Sequence, residues 1–186
     1  MSDTQEEIML WGEELQEKTV IEIGKFAILW GAFEKNVCRW EKNDKKVEKL
    51  LSKSEEIENV SPCSPEKLKK FAEKLKERVE YCGNGNISKY VESLSPNCSY
   101  GQSDIEGFIS SKGQGSFAGA LVAIYRIRNN MFHGSKVLKE LDRQNELFKA
   151  ANKVLEEIFN SKIALPKSFI RKRICFNRKV SGRRIK

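Results

Sequence analysis

Histidine occurs once in these 186 residues, at His133. Imidazole is the side chain whose unperturbed pKa allows proton exchange near neutrality, so histidine acid–base work can fall only there. The five cysteines, Cys38, Cys63, Cys82, Cys98 and Cys175, contain no Cys-x-x-Cys pair. With one histidine and no closely spaced thiolates, neither a zinc site nor another cofactor is expected. An odd set of dispersed thiols fits free cysteines in a reducing cytoplasm. The longest apolar run, around Phe26 to Phe33, is far too short for a membrane span. The start, Met1-Ser2-Asp3-Thr4-Gln5-Glu6-Glu7, has no basic segment leading into an apolar one, and is not read as a signal peptide.

Acids are missing from residues 171–186, which hold Arg171, Lys172, Arg173, Arg178, Lys179, Arg183, Arg184 and Lys186. Without these eight, bases and acids balance at 26 each, so the net charge of +8 belongs to this tail. A basic tail can contact phosphates, and its binding would then fall steeply with salt. On composition alone it reads equally well as a solvated terminus with no specific partner.

What is present is helical patterning. Ile23, Phe26, Trp30, Phe33 and Val37 repeat at helical spacing, within a helix expected from Thr4 to Glu41. Lys45 to Lys53 reads as a short charged helix. Ser64-Pro65-Glu66-Lys67 reads as a cap with proline at the first helical position, opening a helix to about Tyr81. Residues 83–115 hold six of the twelve glycines, so a long loop or insertion is expected there. It has room for short helices at Ile87–Leu94 and Asp104–Ser111. A helix from Phe117 to His133 is closed by Gly134, and a last one runs from Glu140 to Asn160. No strand and no repeat is recognised. The expectation is an all-α antiparallel helical bundle in one domain over residues 1–165, with 166–186 as the basic tail.

The chemistry-bearing stretch is Arg128-Asn129-Asn130-Met131-Phe132-His133-Gly134. At about 100° per residue, Phe117, Leu121, Ile124, Arg128 and Met131 share one apolar arc. Asn129 and His133, four apart, share a polar face with Arg126 and Asn130. An arginine in an apolar stripe needs an anionic partner or a wet interface, because an unpaired buried charge is very costly. Glu34 is the most attractive partner. The bland alternatives are an Arg128–Glu34 pair that only registers two helices and a His133 that only caps one.

An arginine, a polar residue, three more positions and a histidine at a helix end resemble the signature of the HEPN superfamily. The segment Trp30-Gly31-Ala32-Phe33-Glu34 resembles the aromatic-plus-glutamate stretch of its first helix. The resemblance implies a helical bundle that dimerises with its motif helices facing each other. Many such proteins are metal-independent endoribonucleases of toxin–antitoxin, abortive-infection and antiviral systems; others are silent binding modules.

On that reading Arg128, Asn129 and His133 are catalytic. Asn130, Arg126, Tyr125, Lys136 and Glu34 bind substrate or support the site. Cleavage by the RNA's own 2′-hydroxyl needs a base, an acid and positive charge on the phosphorane. One histidine cannot be both acid and base in one step, so a composite site in a homodimer is expected. Residues 83–115 could overhang that site. RNA is the expected partner, with a cognate antitoxin or a larger defence complex as further candidates and no membrane. The main alternative is a catalytically inactive helical module binding nucleic acid or a partner protein. A third reading makes the motif region a target of nucleotidyl transfer, with Tyr125 the acceptor.

Overall fold

The computed structural model describes residues 7–10, 13–42, 45–60, 63–94, 99–114, 117–133 and 138–160. The basic tail therefore lies outside the described residues. The chain is mostly helical, as its apolar spacing predicts, with one short hairpin at the start. Strands β1 (Glu7–Leu10) and β2 (Glu13–Gln16) pair antiparallel, with Ile8 opposite Leu15 and Met9 opposite Glu14. The helix expected from Thr4 thus begins only at Glu17. Strands this short leave too few residues to reveal a period of two.

Helix α1 (Glu17–Phe33) buries Thr19, Phe26, Trp30 and Phe33. It then widens into a π-helical turn, Glu34–Cys38. Arg39 ends that turn in the left-handed region, φ 48°, its N–H donating to the Glu34 carbonyl at 2.9 Å. Helix α2 (Lys46–Val60) runs well past the expected Lys53, because Leu50, Ser54 and Ile57 continue its buried face.

Helix α3 (Pro65–Gly83) opens on proline as expected, but the Ser64 hydroxyl does not cap it. A distant carboxylate does. Glu157 accepts from the Ser64 N–H at 3.0 Å and from Cys63 Sγ at 3.1 Å, and pairs with Lys67 at 3.1 Å. Burial raises this carboxyl, but the bonds from Cys63, Ser64 and Lys67 outweigh burial and hold it below its ordinary value. A carboxyl lower in the folded chain than in the unfolded one stabilises above the unfolded value, near 4.3. That contribution disappears as pH falls through the folded value. Glu157→Gln should therefore flatten the loss of urea midpoint between about pH 5 and 3. Identical pH slopes for parent and variant would show that this carboxylate does not support α3.

Within the segment 83–115 both expected short helices form, α4 (Ile87–Leu94) with the expected bounds and α5 (Gln102–Ser110) starting slightly before Asp104. Instead of forming a long loop they bury Tyr90, Val91, Leu94, Ile105, Phe108 and Ile109. Helix α6 (Phe117–His133) comes next, and the expected last helix divides into α7 (Leu138–Asp142) and α8 (Asn145–Asn160). Helix α8 packs between α1 and α3, and α6 between α2 and α5. Edge-to-face Phe26–Phe148 at 5.5 Å links α1 to α8, and tilted Phe71–Phe108 at 5.8 Å joins the two groups into one core. Among the described residues no helix is long and apolar enough to cross a membrane.

Helix α6 is the central element. Every residue from Phe117 to Ile124 is buried, which is why its sequence is apolar on all sides there. Gly119 lets α5 approach: a Cβ at that position would lie 2.7 Å from Phe108 Cβ and 2.9 Å from the Asp104 carbonyl carbon.

Candidate active site

Past Ile124 the same helix turns polar and leaves the core. Arg128 is three-quarters covered, its Nη2 lying 3.7 Å from Glu34 Oε1. Its Nη1 donates to Asn129 Oδ1 at 3.1 Å. The pair anticipated from the apolar arc is thus present, with both side chains still 26% exposed. A guanidinium held between a carboxylate and an amide keeps a fixed plane.

Glu34 continues the spiral of α1, its N–H bonded to the Trp30 carbonyl, and is the first residue of the π-helical turn. The Asn36 side chain donates to the Ala32 carbonyl at 2.8 Å across that turn. At its far end Cys38 is buried; burial first, then the Glu34 charge, push its thiol up to about 12 against Lys49 and Lys53. It is no nucleophile at neutral pH.

One turn below the charged pair sits an aromatic cluster. The Tyr125 ring lies 6.0 Å from Trp30 and 5.7 Å from Trp40, edge-to-face with the latter. Trp30 and Trp40 are 6.0 Å apart, and Lys46 Nζ lies 5.1 Å over Trp40. Tyr125 precedes Arg128 and Asn129 by three and four residues, and Trp30 precedes Glu34 by four. The cluster therefore forms the floor of the site. Trp40 had no periodic signal to announce it; the left-handed Arg39 delivers it.

Arg126 is not on the polar face as expected. It is 4% exposed and donates from Nη2 to the Tyr100 carbonyl at 2.7 Å. A single-helix wheel cannot see the chain before α5 that covers this side. Arg126 ties α6 to the chain just before α5.

Asn129 and Asn130 are half-buried on the last turns of α6, whose backbone runs to His133. The His133 side chain, Gly134 and Lys136 lie outside the described residues. Among the described residues no group of three His, Cys, Asp or Glu converges as a metal site. Comparisons with family models, with curated proteins and with solved structures found no match to this chain.

Proposed function

We propose that the chain is a metal-independent endoribonuclease of the HEPN type, acting in a toxin or antiviral-defence setting. The observation that carries this reading is Arg128, oriented by Glu34 at 3.7 Å and by Asn129 at 3.1 Å, five residues before the chain's sole histidine. A planar guanidinium can clamp two phosphate oxygens at once, and the 2′-hydroxyl needs a base. The imidazole of one protomer takes the 2′-hydroxyl proton as that oxygen attacks phosphorus. The P–O5′ bond breaks, and the imidazolium of a second protomer protonates the departing 5′-oxygen. Arg128 stabilises the negative charge that builds on the phosphorane. The products are a 2′,3′-cyclic phosphate and a 5′-hydroxyl.

Incubating RNA with the purified protein in EDTA tests the reading. Fragments ending in 2′,3′-cyclic phosphate are expected; intact RNA, or fragments ending in 3′-hydroxyl, would overturn it.

The basic tail supports an RNA partner through charge alone. Each phosphate neutralised on a single strand contributes about −0.7 to the slope of log K against log salt. Replacing Arg183 and Arg184 by glutamine should reduce the slope by roughly 1.4, read in a fluorescence titration of labelled RNA. An unchanged slope removes the tail from the binding surface.

A further inference from the structure

One face of α1 is built for something other than this chain's own core. Glu17, Ile21, Gly24, Ile28, Gly31 and Lys35 are all exposed and recur alternately four and three residues apart. That is the a/d spacing of a coiled-coil seam. Ile21 is 56% exposed and Ile28 73% exposed. A Cβ added at Gly24 or Gly31 would meet nothing within 4 Å. The fold does not need either glycine, yet glycine inside a helix costs stability relative to alanine. A close approach from outside accounts for both.

We infer that this face pairs with the same face of a second copy, antiparallel, about a two-fold axis at the level of Phe26. The register comes from the sequence itself. Positions 17 and 35, 21 and 31, and 24 and 28 are each symmetric about 26. Every layer is then complementary: Ile21 faces Gly31 of the other copy, Ile28 faces Gly24, and Glu17 faces Lys35. Antiparallel helices join an a position to a d position, and here the a positions carry the isoleucines and the d positions the glycines. Each isoleucine fills the notch that a glycine leaves. The contact is isologous, so one patch satisfies both copies.

Charge agrees with packing. Among the described residues neither Glu17 nor Lys35 has an ion-pair partner within the chain, so both are available to the other copy. Lys25, beside the axis, is already paired with Glu156 at 2.7 Å, which limits repulsion from its symmetry mate. At 1.5 Å per residue, this axis leaves the two Glu34 residues about 24 Å apart along the helices. The seam is therefore a contact distinct from the one that would join two His133 residues, and it stands whether or not RNA is cleaved.

Sedimentation equilibrium of the full chain over a concentration series, in low salt, tests the inference. Ile28→Glu should halve the assembly mass and raise the dissociation constant at least about 100-fold, with an unchanged circular-dichroism spectrum. Glu17→Lys and Lys35→Glu should each weaken association, and the two together should restore it. Two results overturn the seam: a mass unaffected by Ile28→Glu, as when the chain's own tail covers this face, or a double exchange no tighter than the single ones.

Discussion

Replacing His133 with alanine should lower RNA cleavage in EDTA by about 10³-fold, with no change in thermal midpoint or assembly mass. The size of the loss comes from the composition: no second histidine exists to take over the proton. Residual activity would come from Arg128, which acts on charge and not on protons. Arg128→Lys separates the two contributions. Lysine keeps the charge but cannot span Glu34 and Asn129 as a planar fork, so a loss of roughly 10²-fold is expected without a shift in the pH profile. Equal rates for parent and His133→Ala would sink the acid–base role outright.

Gly119→Ala should lower the melting temperature by roughly 10 °C, a loss of about 3 kcal/mol. The added methyl would run into the Asp104 carbonyl and Phe108 Cβ, both rigid parts of α5. Neither is the free end of a side chain that can swing away, so α5 must back off from α6. Gly107→Ala is the control, because its Cβ meets nothing within 4 Å. In a helix interior that change should raise stability by about 0.5–1 kcal/mol. Calorimetry on both variants decides whether contact, and not helix propensity, sets the α5–α6 spacing.

The sequence discloses α6 and the Arg128–Glu34 pair because both are properties of helices read one at a time. A cation in an apolar stripe demands an anion, and Glu34 borders the apolar stripe of α1. Reading one helix at a time misplaces Arg126 for the same reason: its burial is imposed by the Tyr100 carbonyl, brought in from another part of the chain. In residues 83–115 serine and glycine dilute the apolar positions, yet the two short helices expected there form. What the composition hides is their depth: Tyr90, Val91, Leu94, Ile105, Phe108 and Ile109 seat both in the core. The Glu157 cap on α3 joins positions 93 residues apart and has no local signature. The widened turn after Phe33 is equally silent, since a 3.6-residue template has no place for it.

That widened turn makes this corner more vulnerable to changes in length than to changes in side chain. Removing one residue between Glu34 and Trp40 would return the backbone to an ordinary spiral and rotate the downstream chain by about 100°. Glu34, upstream, would keep its hold on Arg128, while Trp40, downstream, would swing away from Tyr125. A single codon lost there would uncouple the charged half of the site from its aromatic floor, although every residue named in either half would still be encoded.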